Sequence, residues 1–277
     1  MKHKDRLTVV PAGGLANRMR AVASAIVLGH KLNWEVRIIW YKNQDLFSPF
    51  EAIFDSSTLP ASIVSPNPLS YHIFFEPPRK KNLYLPSLFH KLGPHTYLYI
   101  NRDVDNEEFA ENLAGIKKDV IIYSGYEFAD IDHTLIRSIF RFSERVNNRV
   151  EEILDGSIPD FALQIRRTDN SLSVSNSPIE LFETILEEGL KKDGNVKYFL
   201  ATDDQPTKLR LKEKYGEHLV TNPREASRTT VEGIIDAAAE MEIMSRCRQI
   251  YGSYWSSYSE MASLLGDTPL TVVRKEK

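Results

Sequence analysis

The chain reads as an α/β protein of two domains, each built from parallel βα units, facing each other across a cleft. Three observations predict this. Short apolar runs alternate with segments of helical periodicity from end to end, the pattern of strands in a parallel sheet. The first apolar run breaks at a glycine pair that opens a helix, as in a βαβ unit. The length, 277 residues, suits two domains of about 130–150 residues. The boundary is expected within residues 145–157, giving domains 1–150 and 151–277.

In order, residues 7–10 form a buried first strand that ends at Pro11-Ala12-Gly13-Gly14. Residues 17–29 carry helical spacing and stop near Gly29, and residues 36–40 form the second strand. The stretch 67–94 holds several prolines and the basic run Arg79-Lys80-Lys81. It reads as long loops or an insertion with short strands, its cations a solvated surface. Residues 120–126 form a strand running into Gly125, and 131–154 are mostly helical. The second half continues with strands at 161–165, 197–201, 219–220 and 249–252, separated by helices at 179–192, 207–215 and 231–246.

Composition narrows the function. Lys+Arg 35 against Asp+Glu 38 gives a net charge of −3, so no global basic field draws the chain to nucleic acid. An anionic ligand must be held by local arginines. Cys247 is the one cysteine, which excludes an internal disulfide and reads as a small packed hydrophobe. The first residues lack the apolar core of a signal peptide, and no run of ~18 apolar residues is present. A cytoplasmic protein without a transmembrane segment is expected, with peripheral contact to a membrane left open. The seven histidines are scattered and suggest no metal site.

Three strand ends of the second half carry polar residues: Arg166-Arg167-Thr168-Asp169, Thr202-Asp203-Asp204, and the serine-rich 253–259. Ligands in open α/β sheets bind at the carboxyl ends of strands, so a shared site is expected there. Arginine offers a fixed fork of donors to phosphate oxygens, and Arg166 and Arg167 read either as such a clamp or as partners in surface ion pairs. Asp203 and Asp204 read as ligand contacts or as caps of the following helix. Ser256 and Ser257 suit capping and phosphate binding alike, since free N–H groups at a helix start receive anions. Gly13-Gly14 permits close backbone approach to a ligand, or makes a tight turn with none.

The sets Gly13-Gly14-Leu15-Ala16-Asn17, Arg166-Arg167-Thr168-Asp169, Ala201-Thr202-Asp203-Asp204 and Ser256-Ser257 occur in the order seen in one family. The chain resembles the fucosyltransferase superfamily of α-1,6-fucosyltransferases, rhizobial nodulation fucosyltransferases and protein O-fucosyltransferases, its bacterial members above all. The likeness covers residues 161–266 and the first glycine turn.

The resemblance implies a GT-B-like fold of two Rossmann-like domains, and inverting transfer of L-fucose from GDP-fucose to a carbohydrate acceptor, without metal or other cofactor. It implies that Arg166 pairs with the donor's β-phosphate, where leaving-group charge grows. Asp169, Asp203 and Asp204 then orient arginines, ribose or loop backbone, and Ser256 and Ser257 donate to phosphate. Asn17 reaches towards the diphosphate or acceptor, and Asp236 or Glu240 reads the guanine.

The chain departs from the family in three places. Gln164 stands where the family has histidine, Asn170 follows the aspartate where it has lysine, and no acid lies between Asp169 and Glu180. A base is therefore sought at Asp45, Asp103, Asp105 or, first, Glu127. Two alternatives stay open: a GT-B transferase for another nucleotide sugar, and a catalytically silent nucleotide- or glycan-binding module.

Overall fold

The computed structural model describes residues 5–116, 119–168 and 171–275. Asp169 of the arginine motif lies outside the described residues. The chain divides into two compact units, Met1–Glu51 with Asp55–Arg141, and Ala52–Phe54 with Phe142–Lys277.

The first unit contains β1 (Arg6–Pro11), α1 (Leu15–Leu32), β2 (Glu35–Ile39), β3 (Ser62–Val64), α2 (Pro68–Ser70), α3 (Leu85–Leu92), β4 (Thr96–Ile100), α4 (Asn106–Ala114), β5 (Val120–Ser124) and α5 (His133–Ile139). Its strands make one parallel sheet in the order β3-β2-β1-β5-β4. The central β1 is buried almost throughout, which explains its run of apolar residues.

The second unit contains α6 (Glu144–Leu154), β6 (Phe161–Ile165), α7 (Ser171–Asn176), α8 (Ile179–Lys192), β7 (Tyr198–Thr202), α9 (Gln205–Tyr215), β8 (Leu219–Thr221), α10 (Val231–Arg246), β9 (Gln249–Ser253), α11 (Ser257–Gly266) and β10 (Leu270–Val273). These strands are also all parallel, in the order β10-β9-β6-β7-β8. Leu163, Ile165, Tyr198, Leu200, Phe182, Leu186 and Leu211 close the core between this sheet and helices α8 and α9.

Several elements differ from expectation for identifiable reasons. α1 runs past Gly29 and ends at Asn33 in the left-handed region (φ 54). Gly29 is a packing glycine: a Cβ there would stand 2.2 Å from Val36 Cγ2. The helical stretch 131–154 is broken into α5 and α6 at 140–143, and the chain divides there, after Arg141, rather than at 150. α6 belongs to the second unit because Val146, Val150 and Ile153 are buried and Arg149 pairs with Asp236 of α10. The segment 52–54 joins it through a bridge between Phe54 and Phe142 and the bond from Ser143 N to Ile53 O, 2.9 Å. Residues 68–75 and 85–92 are helical rather than stranded, α2 leading into a π-helical turn at Tyr71–Phe75, with a loop holding one 3-10 turn at Lys80–Asn82 before α3.

Arg18 holds the carboxyl edge of the first sheet together. It lies on the buried face of α1, 1% exposed. Its Nε donates to Gly13 O (2.9 Å), Nη1 to Tyr41 O (2.7 Å) and Nη2 to Asn43 Oδ1 (2.9 Å), with the guanidinium carbon 5.1 Å from the Trp40 ring centre. Burial lowers its pKa to about 10, so it stays charged at neutral pH. Arg18→Leu strips three acceptors of their donor and is expected to cost about 3 kcal/mol in urea unfolding. Arg18→Lys restores charge without the fork and should recover less than half of that loss. A midpoint unchanged by Arg18→Leu would show that the turn stands without this residue.

Candidate active site

In an open α/β sheet the ligand crevice forms where successive connections leave to opposite sides. In the second unit that point is the carboxyl end of β6 and β9. The chain leaves β6 towards β7 and β8 on one side, while β9 and β10 fill the other. Register brings the three motif ends level, with Ile165 opposite Thr202 and Gln164 opposite both Ala201 and Gly252. Arg166, Asp203 and the 253–257 loop therefore share one edge.

Hydrogen bonds fix the backbone of this edge. Ser253 Oγ donates to Gln164 O (3.1 Å) and accepts from Arg166 N (3.0 Å), tying the two strands where they splay. Asp203 accepts from Arg167 N (2.7 Å) and Thr168 Oγ1 (2.7 Å), so it orders the arginine loop directly. Asp204 caps α9 by accepting from Thr207 N at 2.9 Å. The guanidinium of Arg167 turns back into its own segment, donating to Val174 O (3.4 Å) and Ser177 O, and burial lowers its pKa. Ser177 in turn bonds Val273 O (2.6 Å) and Tyr254 N (2.8 Å), so Arg167 braces the loop against β10 and β9. Arg166 is half-buried beside it.

α11 starts at this edge with no side-chain cap. Ser256, in the N-cap position, is 2% exposed, and its Oγ has no hydrogen-bond partner among the described residues. Gln164 Oε1 and Gln205 Oε1 are likewise buried and unpaired. Each such atom costs free energy unless a ligand or water completes it. Of these, Ser256 Oγ and the uncapped N–H groups at the start of α11 suit an anionic group, while the two glutamine oxygens, on β6 and at the start of α9, call for donors.

Two carboxylates of α10, Asp236 and Glu240, are buried inside the unit. Asp236 accepts from Arg149 Nη1, with Arg224 at 3.9 Å, and is 4% exposed. Glu240 is buried close to Lys208, Asp236 and Asn222, and burial raises its pKa to about 7. Of the two residues expected to read the base, Asp236 is thus paired with Arg149, and Glu240 is buried.

In the first unit the corresponding crossover point lies between β1 and β5, where Pro11 is opposite Ser124. Gly13 has φ +77, a conformation open to glycine, and Gly14 would place a Cβ in open space. Asn17 wedges between Gly13 and Gly125, whose Cβ atoms would stand 3.0 Å from Asn17 Nδ2 and 3.5 Å from Asn17 Cβ. It lines a cavity of about 580 Å³ with Tyr99, Tyr123, Tyr126 and Pro77. A second cavity of about 390 Å³ shares Pro77 and Tyr123 and is walled by Tyr41, Tyr71, His72 and Asp45. The rings of Tyr41 and Tyr71 stack at 3.8 Å.

No protein-family model matches the chain, and no curated protein matches it by sequence. Solved structures do. It is similar to the fucosyltransferase NodZ from Bradyrhizobium (17% identity, 95% of this chain and 94% of that chain, TM-score 0.62). It is also similar to Arabidopsis thaliana FUT1 in complex with GDP (15%, 99% and 72%, TM-score 0.65) and to POFUT1 in complex with GDP (11%, 98% and 99%, TM-score 0.57). The fold is that of the fucosyltransferases. Two parallel five-stranded sheets, each in its own unit, make it GT-B-like.

Within this fucosyltransferase fold, the structure groups Arg166, Arg167, Asp203, Asp204, Ser256 and Ser257 at one edge, and Gly13, Gly14 and Asn17 at the other sheet's equivalent edge. Of the four carboxylates considered as bases, Asp105 caps α4 and Asp103 is exposed. Glu127 lines neither cavity, whereas Asp45 lines the smaller one. Arg18 was legible in principle, since it falls between Leu15 and Met19 on the apolar face of α1. Among the described residues no group of three or more His, Cys, Asp or Glu side chains is placed to hold a metal ion.

Asp236→Asn should act on stability. Removing one partner of a buried ion pair typically costs 3–5 kcal/mol. Arg149 keeps Glu232 and Glu152, so about 3 kcal/mol is expected. GDP affinity, measured by calorimetry below the melting point, should stay within about twofold of wild type. A stable variant with lost GDP affinity would return Asp236 to base recognition.

Proposed function

We propose that the protein is an inverting, metal-independent glycosyltransferase that moves L-fucose from GDP-fucose to a hydroxyl group of a carbohydrate acceptor. The second unit is the donor side, the first the acceptor side, and the enzyme works in the cytoplasm. One observation carries the reading: the uncapped start of α11, with Ser256 Oγ buried and unpaired, beside Arg166 at the crossover of β6 and β9. NodZ and POFUT1 structures of this fold were obtained with GDP, which supports a GDP-sugar as the donor.

In this reading the diphosphate lies at the N-terminus of α11. Ser256 and Ser257 donate to its oxygens, together with the free backbone N–H groups. The acceptor oxygen attacks the fucose anomeric carbon from the face opposite the diphosphate, and the bond from that carbon to the phosphate oxygen breaks. Negative charge moves onto the departing GDP, and Arg166 stabilises it more in the transition state than in the ground state. Arg167, Asp203 and Asp204 are positioning residues that hold the loop bearing Arg166. Asp45 takes the acceptor proton in the aromatic cavity of the first unit, and Asn17 contacts the ligand from its glycine cradle. No divalent ion is needed where a guanidinium and a helix start already face the diphosphate.

The test is transfer of labelled fucose from GDP-fucose to a panel of glycans, with GDP-mannose and UDP-sugars as competing donors. Arg166→Ala should lower kcat by about 10²–10³-fold, the usual effect of losing one such donor, with the melting temperature unchanged. Chelation by EDTA should leave turnover unaltered. Loss of activity on chelation, restored by Mn²⁺ or Mg²⁺, would overturn the metal-free mechanism. Asp45→Asn should reduce turnover more than about tenfold. Tight GDP binding with no transfer to any glycan would instead make the chain a binding module.

A further inference from the structure

An amphipathic helix on a globular domain ordinarily turns its apolar stripe inward. α3 does the reverse. Leu85, Leu88, Phe89 and Leu92 recur at the spacing of one helix face, and all four are 40–77% exposed. The opposite side is anchored by Pro86, which is buried, and by His90, which stacks on Tyr97 at 3.6 Å with Nε2 3.1 Å from Phe74 O. Burial lowers the His90 pKa. Just before the helix, Leu83 and Tyr84 are also exposed, and both hold the left-handed backbone region (φ 52 and 54) that non-glycine residues avoid. Six large apolar side chains thus form one outward patch, far from the single scattered exposures that need no explanation.

The stretch of chain that carries the patch has charge of one sign. No Asp or Glu occurs between Glu76 and Asp103, while Arg79, Lys80, Lys81 and Lys91 all fall in that span. Lys80, Lys81 and Lys91 are exposed. Glu76 is buried and engaged by Arg79, by His72 at 2.7 Å and by Asn82 at 3.1 Å, so it does not offset the lysines at the surface. An apolar face with a cationic rim matches a phospholipid surface of negative charge, where leucine and aromatic side chains enter the interface and lysines meet headgroups. A second copy of the chain fits worse, because docking the two patches would bring like charges together.

We propose that α3 and residues 79–84 form a membrane-docking face that seats the first unit on an anionic bilayer. Arg79-Lys80-Lys81, expected from sequence to be a solvated charge run, are the electrostatic part of this face. Residues Glu76, Pro77, Arg79 and Lys81 also line the aromatic cavity at Asp45, so docking sets that cavity beside the lipid surface.

The test is flotation of the full chain with phosphatidylcholine vesicles, with and without phosphatidylglycerol at roughly one lipid in three. The expected result is binding that requires phosphatidylglycerol and weakens at high salt. Leu88→Ser with Leu92→Ser, and separately Lys80→Glu with Lys91→Glu, should each reduce the bound fraction about tenfold or more. All four side chains are exposed, so circular dichroism, melting temperature and GDP binding should match wild type; the outcome is independent of the donor assignment. Wild-type protein that does not float with anionic vesicles would overturn the proposal. So would equal binding to neutral vesicles, or variants that bind as wild type does. A dimer that the leucine variant dissolves, without vesicle binding, would assign the face to a second copy.

Discussion

The hydroxyl of Ser253, bonded at once to the Gln164 carbonyl and the Arg166 amide, is the contact on which the proposed donor site depends. Parallel strands whose connections leave to opposite sides must part at their carboxyl ends, and backbone groups there lose their ladder partners. Ser253 supplies those partners from a side chain. The strands can then separate without orphaned backbone, and Arg166 stands at the lip of the gap. Asp203 extends the same solution from β7, accepting from the next amide and hydroxyl along the loop. What stays unpaired nearby, Ser256 Oγ above all, is a side-chain atom with room to change partner.

The first unit meets the same constraint differently. At its crossover point the chain turns on Gly13, and a buried arginine, Arg18, draws in the carbonyls of Gly13 and Tyr41 from the segments that follow β1 and β2. Burying a guanidinium is costly unless its donors are satisfied and its charge is spread. Here three donors are bonded and Trp40 lies under the plane. The three groups that Arg18 bonds also line the tyrosine-walled cavities, where the proposed acceptor would be positioned.

Much of this was legible in the sequence. The strands from residues 7, 36, 120, 161, 197 and 249 are short, mainly apolar runs, as strands buried on both faces read. Of the four edge strands only β8 was legible: β3 is three residues long, β10 carries exposed residues, and β4 is rich in tyrosine that faces a pocket as well as a core. The end of α1 was misplaced because Gly29 serves packing against Val36, and a glycine that admits a neighbour looks the same in sequence as one that ends a helix. The site motifs appeared as polar residues after apolar runs, but their division of labour came only with register. Arg167 and Asp204 are consumed by the loop and the helix cap, Asp236 by Arg149 across two helices. The Asp236 pairing spans 87 residues and leaves no local mark, whereas the cap by Asp204, three residues before Thr207, was open to reading. The exposed face of α3 was hidden for a related reason, since helical spacing of leucines does not say which side is turned out.

The central claim is that the start of α11 and the end of β6 receive the diphosphate of a guanine nucleotide. A crystal structure of the chain with GDP tests it most directly. The account predicts phosphate oxygens within hydrogen-bond reach of Ser256 Oγ, the first amides of α11 and the Arg166 guanidinium. GDP bound elsewhere, with Ser256 Oγ still buried and unpaired, would contradict it.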